Sequence, residues 1–270
     1  MTAPEGHGLG PLTDDAVLGG RVRLWQPARG FRAGTDAVLL AAACGAAPGQ
    51  SVLDLGCGVG TASLCLAARV PGLSLAGVEM QAGYAALARA NAARNAAALE
   101  VVEADAADLP PALRRPFDHV ICNPPYYAAG AGSAARDPGR EAALRESHPL
   151  RLWLDAAARR LRPGGWCSLI LAADRLAEVL AGVVADRRLG SAAVLPLAAR
   201  QGRAAERVIL RARKGGRAPF RLLAPLILHE GARHPGDREH FTAEARDILR
   251  DAAPISRFDP IPRIGPDGLA

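Results

Sequence analysis

The sequence predicts an α/β fold, a mostly parallel sheet with helices on both faces, and three observations predict it. After Pro48-Gly49, apolar runs of strand length alternate with alanine- and leucine-rich helical stretches. The segment from Val52 to Thr61 runs from a strand through a glycine turn into a helix, with glycines at Gly56, Gly58 and Gly60. Acids close three successive strands: Asp54, Glu79 and Asp105.

Taken in order, residues 1–20 read as a flexible N-terminal arm. Residues 21–26 alternate basic and apolar side chains, as a short half-exposed strand does. Thr35 or Asp36 is placed to cap a helix over 37–46. Strands are expected at 51–55, 74–79, 99–103, 118–122, 166–172, 191–197 and 206–213. Helices are expected at about 61–70, 81–95, 150–161, 174–186 and 242–252. Arg162-Pro163-Gly164-Gly165 stops one helix and launches the next strand. The last two strands have no long helix between them, so they are expected to pair antiparallel at one sheet edge. The domain is taken as one unit over 21–253, and 254–270 as a loose proline-rich tail.

A chain of 270 residues, half of them apolar, is long enough for one large core. No apolar run reaches membrane-spanning length, and the N-terminus lacks the basic and apolar regions of a secretory signal, so a cytoplasmic location is the default. The five cysteines, Cys44, Cys57, Cys65, Cys122 and Cys167, form no C-x-x-C pair, and the histidines show no ligand spacing, so buried thiols and no metal are expected. The formal charge is +6 and almost all of the basic charge is arginine, Lys214 being the only lysine. Two stretches, Arg21 to Arg32 and Arg200 to Arg221, concentrate it, which fits a polyanionic partner; a composition bias toward arginine is the plainer explanation. Oligomeric state is not legible.

The glycine turn invites comparison with a dinucleotide site. There, G-x-G-x-x-G would need a third glycine at position 61, where Thr61 stands, and Asp54 would repel a pyrophosphate. S-adenosylmethionine has no phosphate and carries an ammonium and a sulfonium, which an acid attracts. Glu79 stands where it can accept hydrogen bonds from both ribose hydroxyls, and Asp105 where it can meet the adenine amino group. Taken singly, Glu79 and Asp105 read more readily as solvated strand-end acids; it is their place at the ends of successive parallel strands that favours a ligand.

Asn123-Pro124-Pro125-Tyr126 follows the fourth strand of the series and faces the same crevice. A planar amino or amide nitrogen is a poor nucleophile because its lone pair is delocalised. Two acceptors on its hydrogens, the Asn123 side-chain oxygen and the Pro124 carbonyl, would draw it toward sp³ and aim the lone pair at a methyl group. The prolines stiffen that arrangement and Tyr126 offers a face for stacking. A strand simply ended by Pro124-Pro125, with Tyr126 packing in the core, is the structural alternative.

With these motifs together, the chain resembles the bacterial N6-adenine tRNA methyltransferases that modify the adenosine beside the anticodon of a valine tRNA. The resemblance also rests on residues 26–40 (Gln26-Pro27-Ala28-Arg29-Gly30-Phe31-Arg32-Ala33-Gly34-Thr35-Asp36 and onward), on Pro225-Leu226-Ile227-Leu228-His229-Glu230, and on Phe241-Thr242-Ala243-Glu244. It implies a Rossmann-like class I methyltransferase: a seven-stranded, mostly parallel sheet with an antiparallel edge pair and a short N-terminal strand-helix extension. It further implies S-adenosylmethionine as donor, a tRNA partner, and a lid from Phe31 to Asp36 around the donor's methionine end. Two relatives in chemistry stay open, glutamine-N5 methyltransferases of release factors and guanine-N2 methyltransferases of ribosomal RNA. The former resemble one another in a helical domain ahead of the sheet, for which the residues before Ser51 leave little room. A non-catalytic RNA-binding scaffold is the reading from another class.

Overall fold

The computed structural model describes residue 4 and residues 8–125, 149–231 and 240–259. Eleven strands among them are β1 (Leu12–Val17), β2 (Val22–Pro27), β3 (Ser51–Leu55), β4 (Ser74–Glu79), β5 (Leu99–Glu103), β6 (Phe117–Cys122), β7 (Leu161–Ala172), β8 (Leu189–Ala198), β9 (Ala205–Lys214), β10 (Arg221–Leu222) and β11 (Leu226–Ile227). The described helices of a full turn or more are α1 (Thr35–Ala43), α2 (Thr61–Arg69), α3 (Ala82–Arg94), α4 (Leu150–Arg160), α5 (Leu176–Asp186) and α6 (Ala243–Asp251).

The main sheet runs β5-β4-β3-β6-β7-β9-β8-β10, with β11 also on β8. Neighbours are parallel from β5 through β7, and β9 alone runs against both of its neighbours. This is the expected α/β architecture, a mostly parallel sheet with the antiparallel pair toward one side. The expected edge pair is present, but β9 lies inside β8, and two two-residue strands, β10 and β11, cover the outer side of β8. Strands that short carry no periodic signal in the sequence.

Alternation along the strands splits the apolar side chains between two cores. On one face Val52, Ile121, Ile170, Leu195 and Ile209 pack with α1, α2 and α6; on the other Leu53, Val120, Leu169, Val194 and Leu210 pack with α4 and α5. Helix α1 is apolar from Ala37 to Ala43 and wholly buried there, so its stability comes from tertiary packing rather than from an amphipathic face. Helix α6 starts at Thr242, whose hydroxyl accepts the Ala245 N–H at 3.2 Å.

Three stretches depart from expectation. Residues 12–17, expected within a flexible arm, form β1 and pair antiparallel with β2 along its whole length. Strand β7 begins at Leu161, so Arg162-Pro163-Gly164-Gly165 lies inside it as an irregular stretch opposite Phe117 and His119. The chain also packs beyond residue 254: Ile255 and Phe258 are buried against the α1 face.

Candidate active site

In a parallel sheet the strand ends on one side converge on a single crevice, and here that edge carries the expected acids. The cleft has a volume of about 920 Å³, part of it open to solvent, and is lined by Asp54, Gly56, Cys57, Gly58, Thr61, Glu79, Met80, Asp105, Asn123 and Pro125, together with Phe31, Tyr84 and Trp153.

The glycine turn shapes one wall. Gly56 has φ +70, and a Cβ there would lie 3.0 Å from the Trp153 ring, so both backbone conformation and space disfavour a side chain. Gly58 lines the cleft, whereas Gly60 points the other way, toward Leu99 and Ala88, and serves the turn through φ +87. Glu79 ties the turn to the end of β4: its carboxylate accepts the Gly58 N–H at 3.0 Å and the Gln81 N–H at 2.9 Å. Burial raises the Glu79 pKa, and backbone N–H groups of Gln81, Gly58 and Met80 oppose that rise.

Asp54 is 2 % exposed, and the Ser63 hydroxyl of α2 donates to it at 2.8 Å. Burial lifts its pKa to about 7 against that hydrogen bond and a second one from the Ser63 backbone, with the nearby Glu79 charge adding to the rise. An acid in that state takes its full negative charge most readily when a cation arrives. Asp105 also lines the cleft, its carboxylate accepting the Ala107 N–H of its own turn at 2.8 Å.

Asn123 and Pro125, past the end of β6, also line the cleft, whereas Pro124 is buried and does not line it. Among the described residues the Asn123 Oδ1 is buried without a hydrogen-bond partner, and so is the Thr61 Oγ1 at the start of α2. Unpaired buried oxygens are costly, which marks both as positions for a ligand's donors. Tyr126 lies outside the described residues. Of the other nine sequence-selected residues, Asp54, Gly56, Gly58, Glu79, Asp105, Asn123 and Pro125 share one cavity, and Gly60 and Pro124 do not line it.

Trp153 and Met80 line the cleft without any signal in the sequence, whereas Phe31 belongs to the stretch that the resemblance implies as a lid. Phe31 is tied to Tyr84, its backbone N–H donating to the Tyr84 hydroxyl at 3.0 Å and its carbonyl accepting from that hydroxyl at 3.2 Å. Trp153, within an apolar run of α4, reads as core from sequence alone; its indole N–H is buried and unpaired among the described residues. Met80, half exposed, offers the cleft an apolar side chain directly after Glu79. The donor set and the unpaired oxygens suit S-adenosylmethionine: acids for its ammonium and ribose, and an apolar wall at Met80.

The arginines fall in two groups. Strand β9 runs antiparallel, so Arg203 and Arg207 lie at the cleft end of the sheet, whereas Arg213 and Arg217 lie at the far end. Arg200 and Arg211, in the basic stretch from Arg200 to Arg221 expected to meet a polyanionic partner, are buried. Arg200 donates to the Glu230 and Gly231 carbonyls, and Arg211 is stacked on the rings of Trp166 and Phe258 at 4.8 and 5.1 Å. In the first stretch Arg23 and Arg32 pair with Asp14 and Asp15 of the hairpin, while Arg29 is exposed.

Among the described residues no group of His, Cys, Asp and Glu could hold a metal ion, and no helix is long and apolar enough to cross a membrane.

Residues 32–177 match the model of the methyltransferase small domain. The tRNA1(Val) (adenine(37)-N6)-methyltransferase of Aeromonas hydrophila is 34% identical over 188 residues, covering 68% of this chain and 78% of that protein. Its counterpart in Dickeya chrysanthemi is 32% identical over 200 residues, covering 72% and 77%. The crystal structure of a predicted O-methyltransferase from Agrobacterium tumefaciens is 30% identical and superimposes with a TM-score of 0.66 over 82% of this chain and 98% of that one. With the strand order and the donor cleft, these matches place the chain in the methyltransferase small domain family, among the class I S-adenosylmethionine-dependent methyltransferases.

Proposed function

We propose that the protein transfers a methyl group from S-adenosylmethionine to the N6 amino group of an adenine in tRNA. The observation that carries this reading is the unpaired buried Oδ1 of Asn123 in the same cleft as Asp54 and Glu79. The similarity to the tRNA adenine-N6 enzymes of Aeromonas and Dickeya, over more than three quarters of each, supplies the class of acceptor.

S-adenosylmethionine supplies an electrophilic methyl on a sulfonium. Asp54 attracts the ammonium and Glu79 the ribose hydroxyls, with Asp105 toward the adenine amino group and Gly56, Gly58 and Gly60 shaping the turn beneath them. Asn123 Oδ1 and the Pro124 carbonyl accept the two amino hydrogens of the target base, which turns the nitrogen lone pair outward toward the methyl. Pro125 stiffens the loop, and Tyr126 stacks on the base. Asn123 is neutral, so it does not stabilise the sulfonium in the ground state, and the methylated amine loses its proton to water. A hydroxyl acceptor, as named for the Agrobacterium protein, would call for a base at this position, and asparagine cannot serve as one.

The cleft-end arginines Arg29 and Arg203, both exposed, are the proposed phosphate contacts, and a cytoplasmic location follows from a tRNA substrate. Mass spectrometry of nucleosides from a strain lacking the gene tests the assignment. N6-methyladenosine missing from one tRNA species supports it. Loss of a methylated glutamine from a release factor, or of N2-methylguanosine from ribosomal RNA, with tRNA unchanged, overturns it.

A further inference from the structure

The Asn123-Pro124-Pro125 segment has a mechanical problem that its own sequence cannot solve. Two successive prolines carry no N–H, so within the segment Pro124 and Pro125 offer only carbonyls for hydrogen bonding. If the Pro124 carbonyl is reserved for substrate, the loop must be held from outside through a neighbouring carbonyl.

That hold comes from the end of β7. The turn Ala173–Arg175 follows this strand directly, and Arg175 is 9 % exposed. Its Nη1 donates to the Pro125 carbonyl at 3.4 Å, while Nε and Nη2 both donate to Glu178 Oε2, at 3.2 and 2.7 Å. A guanidinium is a rigid planar fork, so fixing one side on Glu178 fixes where Nη1 points. A buried cation needs such pairing, and the structure spends part of this one on a proline carbonyl next to the substrate loop. Arg175 does not line the cleft.

We propose that Arg175 is a positioning residue for methyl transfer, held in orientation by Glu178, and that it sets the backbone of Asn123-Pro124-Pro125 so that its two acceptors converge on one amino nitrogen. This rests on the reading of Asn123 as the group that holds the acceptor. Misplacing that loop affects the acceptor's lone pair and leaves donor binding intact.

The test compares the full-length protein with Arg175→Ala, Arg175→Lys and Glu178→Gln, using isotope-labelled S-adenosylmethionine and an unfractionated RNA and protein extract of a strain lacking the gene. Affinity for S-adenosylhomocysteine and the thermal midpoint are measured alongside. Arg175→Ala is expected to lower kcat by about 30- to 100-fold with donor affinity within about twofold, the scale of a loss of alignment near 1 Å. Arg175→Lys keeps the charge without the fork and recovers little; Glu178→Gln, which keeps its shape, loses about three- to tenfold. Parental kcat in Arg175→Ala overturns the proposal, as does a loss of donor affinity matching the loss of rate. Should Arg175→Ala fail to fold, Glu178→Gln decides, and parental kcat in it overturns the proposal equally. Label entering protein instead of RNA refutes the tRNA assignment and leaves the comparison of variants in force.

Discussion

Asn91 holds Trp25 by both of its main-chain groups: Oδ1 accepts the Trp25 N–H at 2.8 Å, and Nδ2 donates to the Trp25 carbonyl at 3.1 Å. The same Nδ2 donates to the Val59 carbonyl in the glycine turn at 3.0 Å. One helical turn later Asn95 repeats the pattern on Arg23, with bonds of 2.9 and 2.7 Å. Residues four apart on a helix are separated by roughly 6 Å along its axis, close to the roughly 6.7 Å between alternate residues of a strand. Asn91 on α3 and Asn95 at its C-terminal cap therefore stand in for a neighbouring strand along the open edge of β2. Asn91 also fastens the hairpin to the glycine turn that forms one wall of the cleft.

Replacing Asn91 with alanine leaves the Trp25 N–H and two carbonyls without these partners in a buried place. The expected loss is about 2–4 kcal/mol of stability, read from denaturant unfolding, together with weaker S-adenosylhomocysteine binding because Val59 is released. An unfolding midpoint equal to the parent's would show that the hairpin is held by packing alone.

The placement of the acids and glycines proposed for the donor was legible because its rules are local. A strand-end acid, a glycine at positive φ and a helix start each leave a mark within a few residues, and Asp54, Glu79 and Asp105 lie at the expected strand ends. β1 was not legible: Asp14 and Asp15 argue against a strand until Arg23, Arg94 and Arg32 are seen to pair with them. Arg211 misled for the same reason, since its burial depends on Trp166 and Phe258, both more than 40 residues away in sequence. Trp153 and Arg175 depend on long-range packing too, and neither residue type announces it.

Asp54 predicts a pH dependence in two opposite senses. Its native pKa, about 7, lies above the usual carboxylate range, so between about pH 4 and 7 the folded protein binds the extra proton. Its contribution to stability therefore falls as pH rises through that window and is level above it. A donor ammonium favours the ionised form, so S-adenosylhomocysteine affinity should rise with pH toward 7, by at most about tenfold per unit, and then level. Calorimetry at pH 5.5, 6.5 and 7.5 measures this, and Asp54→Asn should flatten the curve. The same slope in that variant would assign the titration to Glu79, whose pKa is also raised.

Asn123 predicts a split between binding and turnover. Asn123→Ala should retain S-adenosylhomocysteine affinity within about twofold while losing about 10²- to 10³-fold in kcat, the scale of removing one well-placed polar contact to the reacting group. Donor affinity falling as far as the rate would move Asn123 to the donor side. An RNA-binding scaffold would bind RNA as before and have no turnover to lose.

The two ends of β9 predict different salt responses. Arg203 follows β8 in the turn at the cleft end, and Arg29 lies in the loop that leads to Phe31, so both can reach phosphates of an RNA whose base occupies the cleft. Arg217 is equally exposed but follows β9 at the opposite end, roughly a strand length away. Each phosphate contact removed lowers the slope of log Kd against log salt by about 0.7 to 0.9. Arg29→Ala with Arg203→Ala should thus reduce the slope by about 1.4 to 1.8, and Arg217→Ala should leave it unchanged. Arg211→Ala acts differently again, lowering the unfolding midpoint because it empties the space between Trp166 and Phe258. A slope that responds to Arg217 and ignores Arg203 would place the RNA along the far end of the sheet, where no base could reach Asn123.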